Sequence, residues 1–333
     1  MKHRNISIFI PHLGCPHCCA FCNQHSISGE AREDGVPSEA EVLEAVHTAA
    51  QASADYTELA FFGGSFTAID RAYMLKLLAV AKACIASGMV DGIRISTRPD
   101  YINAEILEIL KAHGVTAIEL GAQSMIPSVL ELANRGHTAE DVVQASKLIR
   151  EYGFSLGLQM MVDLPGDTPE GAAQTAQQLA ALKPDTVRIY PAITLKGTQM
   201  AAMYYGGEYL PMGLDKCVSL CAQLLLYFED KGIRVIKLGL QDEPSLRKAY
   251  IAGAFHPAFR ELCEGEIYYS SALHELEAIG SKATLCTIEL ARGETSKMIG
   301  QNRRNLERLA SLGYRIKVVE SRELKVREIR IKP

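Results

Sequence analysis

The sequence predicts an α/β fold, a parallel β/α sheet, open or curled into a barrel, with a small C-terminal α+β unit. Three observations predict it. Short β-branched runs alternate six times with longer amphipathic stretches, which calls for right-handed crossovers and a parallel sheet, open or curled into a barrel. Clusters of Cys, Gly, Pro and polar residues follow the candidate strands, all at one end, where chemistry gathers in such folds. After residue 200 the alternation stops, and from residue 283 the chain reads strand, helix, helix, strand, strand.

In order, the candidate strands are "ISIFIPH" (6–12), "ELAFFGG" (58–64), "GIRISTR" (92–98), "AIELGAQS" (117–124), "FSLGLQMMVDL" (154–164) and "TVRIYPA" (186–192). Between the first two, "SEAEVLEAVHTAAQA" (38–52) starts on Ser38 with Glu41 three residues on, the pattern of a capping box. "AYMLKLLAVAKACIASG" (72–88) and "AEILEILKAHG" (104–114) repeat apolar residues every three to four positions and end in Gly. "LDKCVSLCAQLLLYFEDKG" (214–232) is a helix whose apolar stripe includes Cys217 and Cys221, which read as core residues. "IRVIKLGLQ" (233–241) is a candidate seventh strand, and 252–280 reads as a loop and a helix. In the tail the expected elements are strand 283–290, helices 295–300 and 302–313, and strands 314–321 and 326–332.

A chain of 333 residues has room for one large domain with a small one, or for two. We divide it into a barrel (1–200), an extension of that core (201–280) and a small basic unit (281–333). The composition, 48% hydrophobic and 22% charged, is that of a globular protein. No apolar run is long enough to span a bilayer, and the N-terminal segment lacks the apolar core and cleavage site of a signal peptide. The expectation is a cytoplasmic protein with no membrane partner. Nine cysteines in a reducing compartment then point to metal or redox chemistry rather than disulfides. The net charge of −4 is uneven: residues 292–333 carry 12 Lys or Arg against 5 acids, a net +7, which leaves −11 for the rest. An acidic body with a basic tail suits a polyanionic partner, though a solvated terminal surface has the same composition.

Four of the cysteines stand in "HLGCPHCCAFCNQHS" (12–26). A closed zinc site would want two separated cysteine pairs, and all four crowd into eight residues here. Cys15-Pro16-His17-Cys18 matches a redox CxxC motif but leaves Cys19 and Cys22 unexplained. Cys15, Cys19 and Cys22 form CxxxCxxC, a set that can hold three irons of a 4Fe–4S cluster and leave the fourth open. Cys15, Cys18 and Cys22 would form CxxCxxxC instead.

CxxxCxxC with Phe21 before the last Cys, at the end of the first strand of a β/α barrel, resembles the radical S-adenosylmethionine superfamily. That resemblance implies an α/β fold, a partial (β/α)6 parallel barrel of that type with the small C-terminal α+β unit appended. It also implies a 4Fe–4S cluster on Cys15, Cys19 and Cys22, with Cys18 a spare thiol, and S-adenosylmethionine on the open iron. Reductive cleavage there makes a 5′-deoxyadenosyl radical, fed by an electron donor such as ferredoxin or flavodoxin. "FFGGSF" (61–66) resembles the glycine motif that meets the methionine amine, where the absence of Cβ permits close approach.

"STRPDYI" (96–102), "ELGAQS" (119–124), "VDLPGDT" (162–168), "VRIYPAITLKGT" (187–198) and "AGAFHPAF" (252–259) resemble the radical domain of the Elongator catalytic subunit, a group that modifies the wobble uridine of tRNA. The likeness covers roughly residues 1–260. Carried over position by position, it implies that Gly63, Gly64, Ser65, Thr97, Arg98, Gln123, Ser124, Asp163 and Arg188 line the S-adenosylmethionine pocket or its rim. Taken singly, Arg98 and Arg188 would also serve as salt-bridge residues and Asp163 as a turn residue. The chain is expected to end before the subunit's acetyltransferase-like domain.

The tail resembles the minimal KH core, in which a GxxG loop between two helices clamps nucleic acid. Its loop is Gly300-Gln301-Asn302-Arg303, so the second Gly is absent, and Gly300, Arg303 and Arg304 are the candidate RNA contacts. The expected function is therefore a radical S-adenosylmethionine enzyme that modifies a base in RNA, tRNA above all. Two rivals are a related enzyme acting on a small molecule or tetrapyrrole, as coproporphyrinogen oxidases do, and a non-catalytic RNA-binding protein with a structural metal.

Overall fold

The computed structural model describes residues 3–10, 19–23, 36–50, 54–280 and 285–332. Its main sheet has seven parallel strands in the order β1 (His3–Ile10), β2 (Tyr56–Gly63), β3 (Gly92–Thr97), β4 (Val115–Gln123), β5 (Ser155–Val162), β6 (Thr186–Pro191) and β8 (Arg234–Leu238). The candidate seventh strand thus joins the six. β7 (Ile193–Leu195) and β9 (Tyr250–Gly253) pair apart from it as a short antiparallel ribbon.

Each strand alternates between two environments, because successive side chains leave a strand on opposite faces. Leu59 and Phe61, Ile93 and Ile95, Ile118 and Leu120, Leu156 and Leu158 are buried in the main core with the crossover helices. The intervening positions carry Glu58, Arg94, Glu119, Gln159 and Arg188, on the face opposite the helices. The Arg188 guanidinium on β6 lies 5.0 Å from the ring centroid of Phe62 on β2, four places along the sheet. In a flat sheet those strands would be about 19 Å apart. The sheet is therefore curled into a half-barrel, and the polar row faces its lumen.

Local signals set the crossovers. Helix α1 (Glu39–Ala50) opens on the predicted capping box: Ser38 N donates to Glu41 Oε2 at 2.6 Å and Glu41 N to Ser38 Oγ at 3.3 Å. Helices α2 (Arg71–Ala86) and α3 (Ala104–Ala112) are capped by Asp70 and Asn103. After β4 come α4 (Pro127–Leu132) and α5 (Ala139–Glu151), and after β5 comes α6 (Pro169–Ala181).

Beyond the barrel, α7 (Gln199–Tyr205) precedes α8 (Leu214–Asp230), which buries Cys217 and Cys221 as expected, and a one-turn α9 (Pro244–Ala249) follows β8. The long helix α10 (Phe259–Ile279) then leads into the last unit. That unit has the predicted order: β10 (Leu285–Ala291), α11 (Thr295–Ile299), a 3-10 turn over 301–303, α12 (Arg304–Ser311), β11 (Arg315–Ser321) and β12 (Ile329–Lys332). β10 is central, parallel to β11 and antiparallel to β12. No helix among the described residues is long and apolar enough to cross a membrane.

Candidate cofactor site

The ends of β1 and β2 meet at a glycine. Gly63 has φ +115°, and a Cβ there would lie 2.3 Å from Ile10 O and 2.9 Å from the Phe9 ring. Gly64 N donates to Ile10 O at 2.9 Å, which ties the two strand ends together. Next to this turn, buried hydroxyls link β2 to β3: Ser65 Oγ and Thr67 Oγ1 lie 2.8 and 2.6 Å from Thr97 Oγ1, and Arg98 N donates to Ser65 Oγ.

Cys15 and Cys18 lie outside the described residues. Cys19 is buried and Cys22 half-buried, joined by a turn in which Cys22 N donates to Cys19 O at 3.0 Å. The segment is pinned on two sides, by Ala20 N to Ala133 O (2.9 Å) and by Met200 N to Ala20 O (2.8 Å). Arg135, buried beyond α4, donates from Nη1 to Cys19 Sγ at 3.1 Å and from Nη2 to Gly121 O at 2.7 Å. Its Nε is buried without a partner among the described residues. Beside it, His137 Nε2 donates to Ala122 O at 3.2 Å, and burial, with the Arg135 charge, lowers its pKa to about 4, so the ring is neutral.

A chain of buried charge lies in the lumen. His3 and Arg94 contact Glu58, Arg94 Nη1 reaches Glu119 at 3.1 Å, and Glu119 also receives Arg188 Nη2 at 2.9 Å. Arg188 Nε is 2.6 Å from Glu119 Oε2, a charge contact set off the N–H direction. Burial works against the Arg188 charge, but Glu119 outweighs it and holds the guanidinium firmly protonated. On the neighbouring strands Gln159 Nε2 points to Gln123 Oε1 at 3.3 Å, with Gln123 on a bulge at φ +67°.

The residues singled out from sequence thus fall into two groups. Gly63, Gly64, Ser65, Thr97, Gln123 and Arg188 belong to the strand-end cluster and the lumen. Arg98 is neutralised by a two-pronged pair with Asp100, at 2.9 Å on each arm. Ser124 caps Ile126 N and faces Thr175 on α6. Asp163, at φ +68°, accepts from Met212 N at 2.7 Å, and its backbone oxygen receives the Tyr209 hydroxyl, so it anchors the 209–212 loop. Sequence reasoning missed Arg135, Glu58, Arg94, Glu119, Gln159 and His137.

Burial raises the carboxyls of Asp163 and Asp167 to about 6 each. The folded state then binds more protons than the unfolded chain between about pH 4 and 6, so these groups make stability fall as pH rises through that window. His137 acts with the opposite sign from about pH 6.5 down to 4. The effect is therefore read from a difference. Relative to the parent, Asp163→Asn should gain melting temperature at pH 7.5 over pH 4.5, since Asn keeps an acceptor for Met212 N. A pH-independent difference would contradict it.

The superfamily model described as "Radical SAM superfamily" matches residues 9–179, about half of the chain, and the "Radical_SAM C-terminal domain" matches 184–269. The chain belongs to the Radical SAM superfamily. Members of the Radical SAM superfamily use a 4Fe–4S cluster and S-adenosylmethionine. The tRNA uridine(34) acetyltransferase of Methanocaldococcus jannaschii is 30% identical over 49% of this chain and 34% of its own length. Human Elongator complex protein 3 is 29% identical over 52% of this chain and 35% of its own. The chain spans about a third of each of these relatives. The structure of Methanocaldococcus infernus Elp3 superposes with a TM-score of 0.63 at 19% identity, over 84% of this chain and 63% of that one, which establishes a shared fold.

The site's chemistry fits the superfamily's cofactors. Cys19 and Cys22 bring two thiol sulfurs to the strand-end face of the half-barrel, and the glycine at Gly63, where a Cβ would meet Ile10 O at 2.3 Å, lets the ends of β1 and β2 close on each other there. The unpartnered Nε of Arg135 supplies a buried cation beside the sulfur.

Proposed function

We propose that this Radical SAM protein modifies a base in tRNA, using a cluster held by Cys15, Cys19 and Cys22. The observation that carries the cofactor part is the arrangement of Cys19, Arg135 and the Gly63–Gly64 turn around one strand-end face. The names of the matched relatives support the tRNA part, together with the basic excess of residues 292–333.

When bound, the cluster and S-adenosylmethionine supply an organic radical able to abstract hydrogen from a substrate. The chain's own residues do the rest. Cys19 and Cys22 ligate iron, while Arg135 offers N–H groups to the Cys19 sulfur and to an anionic group such as a carboxylate. The Gly63–Gly64 turn holds the ends of β1 and β2 together beside the cysteine segment. Ser65 and Thr97 hold the ends of β2 and β3 in register, Gln123 and Gln159 offer amide groups, and the Glu119–Arg188 pair forms a rigid polar floor. A one-electron donor such as ferredoxin or flavodoxin completes the system.

Two measurements test this. Anaerobic reconstitution of Cys19→Ala or Cys22→Ala should lose most cluster iron, whereas Cys18→Ala should keep it; a cluster retained by Cys19→Ala and lost by Cys18→Ala would move the ligands to CxxCxxxC. Nucleoside mass spectrometry of tRNA from cells with and without the gene should show one modified nucleoside missing. Identical tRNA profiles would remove the tRNA substrate.

A further inference from the structure

The cations of the C-terminal unit divide into two sets. Lys297, Arg304, Arg308, Arg327, Arg330 and Lys332 each reach a carboxylate; Arg304, for one, contacts Asp215 on α8 at 2.7 Å. Arg292, Arg303, Arg315, Lys317, Arg322 and Lys325 are exposed and reach no carboxylate among the described residues.

Four of the unpaired six lie on or beside β11, two on its open face and two just past the ends of β10 and β11. β11 is an edge strand, and its Ile316 and Val318 pack on the unit's apolar core. Arg315 and Lys317 alternate with them, so they stand on the opposite, open face of the sheet. Register pairs Ala291 with Ser321, so Arg292 and Arg322 leave the ends of β10 and β11 side by side. Along the backbone, Arg315 to Arg322 spans about 23 Å. The carboxylates nearby are engaged elsewhere. Glu289 on the central strand takes Arg330 and Lys332, and Glu320 accepts from Gly293 N and Thr295 Oγ1.

Guarding an edge strand against pairing needs only scattered charge of either sign. Here one sign collects on one edge, in a chain that is net −11 outside residues 292–333. A polyanion is repelled by the body and attracted to this strip. The loop between α11 and α12 has less to offer, because Arg304 is paired with Asp215 and Gly300 is packed against the buried Asn305 side chain.

We propose that this edge, Arg315 and Lys317 on β11 with Arg322 and Arg292 at its end, binds the sugar–phosphate backbone of RNA. The proposal rests on the tRNA reading above and places the contact on the sheet edge rather than on the helix–helix loop.

The test uses the full chain and an unmodified tRNA transcript, with affinity measured from 50 to 300 mM KCl. Each lost single-strand phosphate contact should flatten the log–log salt slope by about 0.7, so Arg315→Ala with Lys317→Ala should flatten it by about 1.4. At 0.1 M salt, tenfold below a 1 M reference, that is a loss of roughly 25-fold in affinity. Both residues are exposed, and the charge-preserving pair Arg315→Lys with Lys317→Arg should restore the slope, which separates charge from folding. Arg303→Ala, also unpaired but off the strip, should leave the slope within half a contact. If the parent binds with a salt slope that the 315/317 variant retains, the strip is overturned and the tRNA reading stands. If the slope is lost through Arg303→Ala instead, the loop is the contact and the strip is again overturned. A parent that shows no salt-dependent tRNA binding overturns both.

Discussion

Glu119→Gln should remove about 3–5 kcal/mol of folding stability. Glu119 is buried and stands between two guanidiniums, Arg94 Nη1 at 3.1 Å and Arg188 Nη2 at 2.9 Å. Glutamine keeps the shape and one acceptor but removes the charge, which leaves Arg188 without a carboxylate and Arg94 with Glu58 alone. Isolated charges in a low-dielectric interior are costly, whereas a complete pair roughly cancels its own desolvation. The same logic gives the control. Glu119→Leu with Arg188→Met removes a cation together with the anion, leaves the Arg94–Glu58 pair whole, and should be much milder. Denaturant midpoints of the three proteins decide the matter. A loss below about 1 kcal/mol for Glu119→Gln would mean that water screens the lumen charges.

Gly63→Ala should be nearly as damaging, for a steric reason. At φ +115° an L side chain is strained, at about 1–3 kcal/mol, and its Cβ would sit 2.3 Å from the backbone oxygen of Ile10. That oxygen cannot retreat without giving up the hydrogen bond from Gly64 N, about 1 kcal/mol more. The expected total is about 2–4 kcal/mol, with reconstituted iron falling as the strand ends separate. Gly88→Ala isolates the clash: Gly88 also has positive φ, +73°, but nothing lies within 4 Å of its added Cβ, so it should cost about 1 kcal/mol. Equal costs at Gly63 and Gly88 would show that the close approach contributes nothing.

The barrel was legible because buried parallel strands read as apolar runs between helices with clear start and stop signals. Ser38 with Glu41 and the apolar placement of Cys217 and Cys221 are cases where local chemistry sufficed. β7 and β9 were not legible, since elements of three and four residues exist only through their pairing with each other. The same contrast holds at the site. The glycine turn declares itself, but Ser124 and Asp163 face α6 and the 209–212 loop for reasons of packing that no motif encodes. A signal for the missed lumen residues was present: Glu58, Arg94, Glu119 and Gln159 are polar side chains at alternate positions of otherwise apolar strands, so each had to face something other than the helices. Arg135 had no such signal, because its reach to Cys19 spans 116 residues.

Helix α10 serves two masters. Phe259, Cys263 and Ile267 belong to the apolar core of the barrel, and Tyr268, Ala272 and Leu276, further along the same rod, belong to that of the terminal sheet. Tyr268 also gives its hydroxyl to Glu294 at 2.7 Å and receives Arg327 N at 3.0 Å. One unbroken ladder of backbone hydrogen bonds therefore forms a wall of both compartments, and unravelling it from either end exposes the apolar surface of each. The two compartments are thermodynamically welded: they should melt as one cooperative unit, and amides along the helix should exchange with solvent only when the whole molecule opens. A ligand seated on the far sheet would accordingly stiffen the mouth of the barrel as well, through shared stability and without any hinge.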